Sequence, residues 1–296
     1  METNKPHIPV LAEQVQQLLA PQSGESYLDL TAGFGGHAAP ILVQTRNYQN
    51  SVLVDRDNEA IEYVRNRFYE HQALQFIHQD MVSTTEDLAA DERQFDLILI
   101  DAGVSSPQLD QPQRGFSFGK SGPLDMRMDS SQSLRAQDIV NDYSPHELED
   151  ILSRFGEEPQ AKRIVREIVS ARPLSTTAQL ADVVKSAVSA KRRHGRTHPA
   201  TQTFQGLRIA VNDELGQLEK AVSTAVDQLL APKGRIALIS FHSLEDRIFK
   251  QALAKRAGGR LDSQLKLLTK RPVTPDTSFN PRARSAKLRA AVKIKK

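Results

Sequence analysis

A glycine cluster directly follows a short apolar segment near the start of the chain. It reads Asp-Leu-Thr-Ala-Gly-Phe-Gly-Gly-His over Asp29–His37, and a helix-like pattern comes next. Glycines at a strand-to-helix turn let the backbone approach a ligand and expose helix N-terminal amides to an anionic group. Asp55 ends the next predicted strand, about 20 residues further on, where a carboxylate can accept hydrogen bonds from ribose hydroxyls. Together these features predict an adenosine-containing cofactor, whereas the glycine turn alone would equally suit a structural role.

The spacing of these glycines favours S-adenosylmethionine over NAD. It does not match Gly-x-Gly-x-x-Gly, the dinucleotide signature that cradles a pyrophosphate. S-adenosylmethionine has no pyrophosphate, so a shorter loop suffices for its methionine carboxylate. We expect its adenine near Gln79–Met81, where the third strand ends. Asp101 ends the fourth strand, at the usual ligand edge of an open α/β sheet, and could face the methionine amino group or the reacting atoms.

The composition excludes several other chemistries. The chain of 296 residues contains no cysteine, so it has no disulfide, thiolate zinc site, Cys-ligated iron–sulfur cluster or cysteine nucleophile. No apolar run approaches the ~18 residues of a membrane helix, and the N-terminus lacks signal-peptide features. We therefore expect a cytoplasmic protein that does not associate with a membrane.

Short, continuously apolar segments alternate with helical patterns in the first third of the chain. Such strands, separated by helices, indicate a parallel sheet covered on both faces. The predicted strands are Ser26–Ala32, Ser51–Asp55, Leu74–His78 and Phe95–Asp101. After Asp101 the alternation stops, and a loop to about Ser133 leads into a block of helical patterns.

The alternation resumes with one long amphipathic helix over Leu215–Leu229 and a strand over Arg235–Phe241. Ser243 is expected to cap a further helix, and Lys287–Ile294 alternates like a closing edge strand. The pattern therefore predicts a Rossmann-like α/β sheet with a helical domain inserted after its fourth strand. The predicted parts are residues 1–108 and 206–296 for the sheet domain, and residues 109–205 for a helical, substrate-recognising insertion.

The net charge of +3 conceals an asymmetry. Residues 247–296 hold 15 basic and 2 acidic side chains, whereas the first 246 residues hold 24 basic and 34 acidic ones. A second basic stretch, residues 160–212, has 10 Lys or Arg against Glu167 and Asp182. A single charge run is usually a solvated surface, but two basic stretches favour a polyanionic partner such as nucleic acid.

Motifs along nearly the whole chain, from about His7 to Arg289, resemble the MraW/RsmH family of bacterial 16S ribosomal RNA methyltransferases. The matching segments are Pro9–Leu11, Asp29–His37, Asp101–Leu109, Arg114–Phe118, Gly122–Asp129, His198–Gln205, Leu207–Leu215, Ser240–Arg247 and Asn280–Arg289. The sequence departs from the family pattern in a few places. Ala102 replaces a leucine, Gly206 replaces an alanine, and Pro159 with Gln160 interrupts a Gly-Glu-Glu-Arg-Phe-like stretch.

The resemblance implies the fold of the class I S-adenosylmethionine-dependent methyltransferases. It also implies an enzyme that methylates N4 of a decoding-centre cytidine. The expected partner is 16S rRNA within the small ribosomal subunit, with DNA excluded and homodimer formation left open. The resemblance also implies that the cofactor is bound by Gly35, Gly36, His37, Asp55, Met81, Asp101 and Gln108.

The absence of cysteine then distinguishes two chemistries of cytosine methylation. Methylation at C5 generally needs a covalent cysteine adduct, whereas methylation of an exocyclic nitrogen needs none. Asp101 is the candidate acceptor of a hydrogen bond from the amine. His242 is a second catalytic candidate, as a proton acceptor or an RNA contact, and a structural histidine is as plausible. Phe116 and Phe118 could flank the base or belong to the core.

Arg114, Arg127 and Arg208 are candidate phosphate contacts, although each could instead form a structural salt bridge. This applies especially to Arg127, because acidic residues flank it. His194 and His198 are four residues apart but lie among cationic residues, which disfavours a metal site. Ser117-Phe-Gly-Lys120 resembles Ser-x-x-Lys without the companion β-lactamase motifs.

Three rival functions stay open on the residues alone. The missing Pro-Pro-Tyr segment disfavours a DNA amino-methyltransferase, and the glycine spacing disfavours an NAD-dependent oxidoreductase. A non-catalytic ribosome-assembly factor would require loss of cofactor binding.

Overall fold

The computed structural model describes residues 9–195, 197–258, 263–276 and 281–294. His7 and Asn280 of the family motifs, and Arg196, Lys295 and Lys296 of the basic stretches, lie outside the described residues. The chain forms two compact units. The first, here the sheet unit, comprises Met1–Gly103 and Leu215–Lys296; the second, the inserted unit, is Val104–Glu214.

The sheet unit is built on one sheet of seven strands in the order β3-β2-β1-β4-β5-β7-β6. The first five of these positions are parallel, β7 runs antiparallel to β5, and β6 runs antiparallel to β7. The strands are β1 Tyr27–Asp29, β2 Val52–Asp55, β3 Gln75–His78, β4 Phe95–Asp101, β5 Leu230–Ser240, β6 Leu265–Leu267 and β7 Lys287–Lys293.

Helices cover both faces of this sheet, as the continuous apolar strands predict. On β4, Leu97 and Leu99 join a buried cluster with helices α1–α3, while Ile98 and Ile100 join a second cluster with α4, α12 and α13. The helices are α1 Ala12–Leu19, α2 Ala38–Thr45, α3 Asn58–Arg67, α4 Met81–Ala90, α12 Glu214–Thr224 and α13 Ser243–Arg256. Since both faces are buried, the strands lack the two-residue hydrophobic alternation of a half-exposed sheet.

Three details of the predicted sheet unit were wrong. Lys287–Lys293 is not an edge strand, because β6 pairs with its outer side; a strand of three residues is too short to show a pattern in the sequence. The first strand ends at Asp29, where the chain turns towards the glycine cluster. The segment predicted as one helix is α-helical only as far as Thr224, and one wider π-helical turn, Ala225–Leu229, follows it.

The inserted unit is helical and has its own buried core, from Phe116 to Val211. Its helices are α5 Ser106–Asp110, α6 Ala136–Asp142, α7 Pro145–Arg154, α8 Ala161–Ala171, α9 Thr177–Ala187, α10 Ala190–Arg193 and α11 Thr201–Asn212. The Ser144 hydroxyl and the Glu147 carboxylate form the predicted capping box at the start of α7.

The unit boundaries differ from the predicted ones after residues 108 and 205. They lie after Gly103 and after Glu214. The second boundary is later than predicted because α11 packs against α6 and α7 and so belongs to the insertion. Among the described residues, no helix is both long enough and apolar enough to cross a bilayer.

Candidate cofactor site

The glycine cluster at the end of β1 is held by the carboxylate of Asp55. The Gly33 N–H donates to Asp55 Oδ2 over 2.8 Å, and the Asp57 N–H donates to Asp55 Oδ1 over 2.9 Å. Burial raises the pKa of Asp55 to about 6, although these hydrogen bonds act in the opposite direction. Asp55 therefore ties the ends of β1 and β2 together. Because each carboxylate oxygen has a second lone pair, it can also accept from ribose hydroxyls.

Packing as well as ligand access explains the next two glycines. Gly35 has φ +73°, and a Cβ there would lie 3.1 Å from the Phe68 ring and 3.2 Å from a Val64 methyl. A Cβ on Gly36 would lie 3.3 Å from Pro9. A side chain at Gly35 would be both strained and crowded, so the chain can turn into α2 this close to α3 because this position is glycine.

His37 and Asp101 lie together at the ends of β1 and β4. His37 Nε2 is 3.6 Å from Asp101 Oδ2, and the two side chains are 8% and 24% exposed. Within the part of the chain that the structure describes, His37 Nε2 and Asp101 Oδ1 are buried without a hydrogen-bond partner. Since buried polar atoms are normally paired, this arrangement fits a polar ligand that offers both donors and acceptors. The amino-acid part of S-adenosylmethionine has that character.

Asp29 and Tyr27 are buried ionisable residues of this strand end that were not among the predicted site residues. The buried Asp29 carboxylate accepts from the Tyr27 hydroxyl over 2.7 Å and from the Thr31 N–H over 3.1 Å. Burial raises the pKa of Asp29 to about 6, although the Tyr27 hydrogen bond and the nearby His37 oppose this. The signal in the sequence was its place as the first residue of the glycine motif.

The third strand end carries Asp80 and Met81, near the expected adenine position. Asp80 caps α4 by accepting from the N–H groups of Val82 and Ser83. Burial alone would raise the pKa of Asp80, but the hydrogen bonds from Ser83 and Val82 outweigh it and hold the pKa below its ordinary value. Met81, the first residue of α4, is half-buried against the apolar cluster beneath the sheet.

Gln108 belongs to the inserted unit rather than to the sheet unit. It is buried and completes a capping box on α5, in which its Oε1 accepts from the Ser105 N–H over 2.9 Å. Six of the seven predicted cofactor residues thus lie at neighbouring strand ends of one sheet, and Gln108 is described separately from them.

The family profile of the MraW methylases matches residues 4–294. The chain belongs to the MraW methylase family. This confirms the resemblance drawn from the motifs. Ribosomal RNA small subunit methyltransferase H of Cyanothece sp. is 48% identical over 292 residues, covering 97% of this chain and 95% of that protein. The protein of the same name in Nostoc punctiforme is 46% identical over 292 residues, covering 97% and 94%.

Among solved structures, an rRNA methylase from Streptococcus thermophilus aligns over 96% of this chain and 94% of its own, with a TM-score of 0.44 and 8% identity. An N-methyltransferase, NodS of Bradyrhizobium japonicum in complex with S-adenosylhomocysteine, aligns over 96% and 86%, with a TM-score of 0.44 and 9% identity. As a MraW methylase with a Rossmann-like sheet, the chain is a class I methyltransferase. Its cofactor is S-adenosylmethionine.

In this MraW methylase His242 caps a helix. Its Nδ1 accepts from the Glu245 N–H over 3.4 Å, while Glu245 Oε2 accepts from the N–H groups of Phe241 and His242. His242 Nε2 is buried, 3.1 Å from Glu245 Oε1 but without hydrogen-bond geometry. The N-cap of α13 is therefore His242 rather than Ser243, and the observed contacts describe a structural histidine.

The three predicted RNA-binding arginines are engaged within the inserted unit. Arg208 pairs with Glu214 through two hydrogen bonds of 2.8 and 2.9 Å. Arg127 pairs likewise with Asp125 over 2.8 Å at both oxygens, which raises the pKa of Arg127 above its ordinary value. Arg114 donates to the carbonyl oxygens of Arg127 and Met128. The contacts of Arg127 and Arg208 match the salt-bridge alternative, whereas Arg114 is held by backbone carbonyl oxygens. Contact of all three with RNA stays a prediction.

The two phenylalanines of the loop differ in their surroundings. Phe116 is buried in the core of the inserted unit, which matches the core alternative. Phe118 is half-buried, and the ring of His198 stacks on it with 4.3 Å between centroids. His198, which the sequence indicated as one of two spaced histidines and as the first residue of a family motif, is therefore placed by an aromatic contact.

Proposed function

We propose that this protein transfers a methyl group from S-adenosylmethionine to N4 of a cytidine in the decoding centre of 16S rRNA. The substrate would be rRNA within the small ribosomal subunit, encountered in the cytoplasm. The names of the relatives support an rRNA of the small subunit as substrate. The observation that carries the proposal is the His37–Asp101 pair, whose buried polar atoms await a polar ligand beside the glycine turn.

The strand ends suggest a division of roles around the cofactor. Asp55 is proposed to accept from the ribose hydroxyls, and Met81 to pack near the adenine. Gly35, Gly36 and His37, at the start of α2, are proposed to receive the methionine carboxylate, where helix N-terminal amides favour an anion. Gln108 remains a proposed ligand on the family resemblance alone.

Bound S-adenosylmethionine supplies an electrophilic methyl group. The task of the chain is to hold the cytidine amine in line with that group, because alignment alone can supply roughly 7–11 kcal/mol in favourable cases. Asp101 is proposed to accept a hydrogen bond from the amine, which orients the nitrogen for attack on the methyl group, and then to accept the departing proton. His37 Nε2 lies 3.6 Å from this carboxylate and is proposed to contact the bound cofactor beside it.

We assign the proton to Asp101 rather than to His242. His242 uses Nδ1 to cap α13, and its Nε2 is buried beside Glu245. Because Nδ1 already accepts a hydrogen bond, the neutral His242 ring has no free lone pair to receive a proton. Asp101 Oδ1, by contrast, is an acceptor without a partner among the described residues. The chain has no cysteine, so it cannot form the adduct through which C5 methylation generally proceeds.

The decisive experiment incubates labelled S-adenosylmethionine with unmodified small subunits, protein-free 16S rRNA and DNA, and then maps the product. Label on N4 of one cytidine in 16S rRNA is expected. Label at carbon 5, or transfer to DNA only, would overturn the proposal. Affinity for the substrate should fall steeply with salt, as expected when cationic side chains neutralise phosphates.

A further inference from the structure

Three aromatic rings of the inserted unit form a stack that leads from its core to its surface. Phe204, on α11, is 4% exposed. The ring of Phe118 meets it edge-on, with 5.1 Å between centroids and 78° between planes. The imidazole of His198 lies nearly parallel on Phe118, at 4.3 Å and 22°, and His198 is an exposed residue. A planar ring is thus presented to solvent on a rigid base.

The orientation of this imidazole is set by the backbone. His198 Nδ1 accepts from the Ala200 N–H over 3.2 Å, so the neutral ring carries its proton on Nε2. Partial burial, and then the nearby Lys185, lower the pKa of His198 below its ordinary value, and Asp182 opposes this effect only in part. The lowered pKa favours the neutral form of the ring.

Beside His198 the surface has an open hollow of about 450 Å³, which Arg192, Gly195, Thr197 and Gln202 also line. Its wall is fixed from within, because Arg192 forms an ion pair with the buried Glu158 and donates to Gln202 Oε1 over 2.6 Å.

Several cationic residues lie on the helices next to His198. Lys191 and Arg193 are exposed on α10, and Lys185 lies near enough to His198 to affect its pKa. Arg193 also donates to the carbonyl oxygen of Val188, which anchors α10. The acidic residue that faces the ring is Asp182. A nucleobase could stack on the flat imidazole ring, and the neighbouring phosphates of the same strand could then contact the nearby cationic residues.

We propose that His198, seated on Phe118, is a stacking platform for one unpaired base of the RNA substrate, distinct from the cytidine that is methylated. The inference rests on the proposed function in taking RNA as the ligand. A stacked base typically contributes roughly 5- to 150-fold in affinity and is accepted with little sequence preference, because every base has a π-face. The platform would hold RNA that flanks the target and leave the chemistry to the sheet unit.

Two matched substitutions separate the platform from a purely structural role of His198 near the start of α11. His198→Asn keeps a side-chain acceptor for the Ala200 N–H but removes the ring. His198→Phe keeps the ring but removes the acceptor. His194→Asn is the control, because this exposed histidine ends α10 and makes no ring contact among those seen in the described residues.

The assay is single-turnover methylation of an unmodified 16S rRNA transcript and of unmodified small subunits, with RNA affinity measured in parallel. The platform predicts about tenfold weaker RNA binding for His198→Asn, with the rate at saturating RNA unchanged, and binding within about twofold of wild type for His198→Phe. A structural role predicts lower thermal stability for His198→Phe and unchanged RNA binding for both variants, which would overturn the proposal. Where the wild-type protein binds both substrates, an effect of His198→Asn on subunits but not on protein-free transcript would also overturn it, in favour of a protein partner.

A third variant reports on stacking directly. The chain has no tryptophan, so His198→Trp introduces a single indole whose fluorescence should be quenched when the transcript binds. Binding with unchanged indole fluorescence overturns the platform. Failure of the wild-type protein to methylate any RNA would instead overturn the proposed function, and so the two failures are distinguishable.

Discussion

The ionisable side chains at the strand ends of the sheet unit differ in their pairing from three arginines of the inserted unit. At the strand ends of the sheet unit, His37 and Asp101 each keep a buried polar atom without a partner among the described residues. In the inserted unit, Arg127, Arg192 and Arg208 each form a bidentate or multiple contact with a carboxylate of the same unit. All of these side chains could bind a ligand, but the chain itself supplies hydrogen-bond partners for the three arginines and leaves one polar atom each of His37 and Asp101 without a partner among the described residues.

The difference separates positions that await a ligand from positions that build the fold. A buried polar atom without a partner costs about 1–3 kcal/mol, so a site that retains two of them is expected to recover that free energy when the ligand binds. An arginine that is already paired gains little from a phosphate, because it must first leave its carboxylate. Four predictions test this comparison.

The largest effect is expected from Asp101→Asn. If Asp101 receives the proton of the amine, the variant should lose about 100-fold or more of its single-turnover methylation rate at saturating cofactor. The fold should persist, because the Asp101 side chain is 24% exposed and one oxygen has no partner among the described residues. Glu62→Gln, at an exposed ion pair of the sheet unit, is the control. An undiminished rate in Asp101→Asn would remove Asp101 from the chemistry.

Arg208→Met tests the opposite side of the comparison. Arg208 and Glu214 are 15% and 8% exposed, so removing one partner leaves a buried, unpaired charge, and the free energy of unfolding should fall by about 3 kcal/mol.

Arg154→Met provides the matched control for Arg208→Met. Arg154 pairs with Asp150 on the surface, where both side chains are well exposed, and its loss should change stability by less than about 1 kcal/mol. If Arg208→Met leaves stability unchanged and makes the salt dependence of RNA binding shallower, Arg208 contacts an RNA phosphate and the structural role is wrong.

Asp29 predicts a dependence of stability on pH. Its pKa of about 6 in the folded state lies above its value of about 3.9 in the unfolded chain, so its contribution is present at low pH and is lost as pH rises from about 4 to 6. Relative to Asp29→Asn, the wild-type protein should lose about 2 kcal/mol of unfolding free energy between pH 4.5 and 7.5. Denaturant unfolding of both proteins at several pH values measures this. A constant difference would mean that Asp29 is ionised throughout.

The smallest effect is expected from Gly206→Ala, where the family pattern has an alanine. A Cβ at Gly206 would lie 3.0 Å from the Gly156 nitrogen and 3.1 Å from the Ile151 carbonyl oxygen. The helix propensity of alanine should offset this crowding, so stability should change by less than about 1 kcal/mol. A loss of 2 kcal/mol or more in thermal or chemical unfolding would show that α7 and α11 pack too rigidly to adjust.

Sequence reasoning succeeded where the determining interactions are local. The glycine turn between the first strand and α2 and the capping box at Ser144 depend on residues within a few positions of one another. β6 escaped prediction because three residues carry no periodicity, and its pairing with β7 joins segments that are distant in sequence.

The roles of individual side chains were harder to predict. His242 caps α13 although histidine is not among the usual capping residues, and only Glu245 three positions on hinted at it. Arg192 finds its carboxylate 34 positions earlier, at Glu158, and no spacing rule indicates such a partner. Which polar atoms stay unpaired is a property of the packed structure.

The position of β7 has a consequence for the order in which the protein is made. β7 lies inside the sheet, between β5 and β6, yet it is the last strand along the described chain. The hydrogen-bonding edge of β5 therefore stays open while roughly 50 further residues are synthesised. The inserted unit, complete by Glu214, can fold well before that edge is covered. During synthesis, the vulnerable state of this methyltransferase is a chain with a finished insertion and an unfinished sheet.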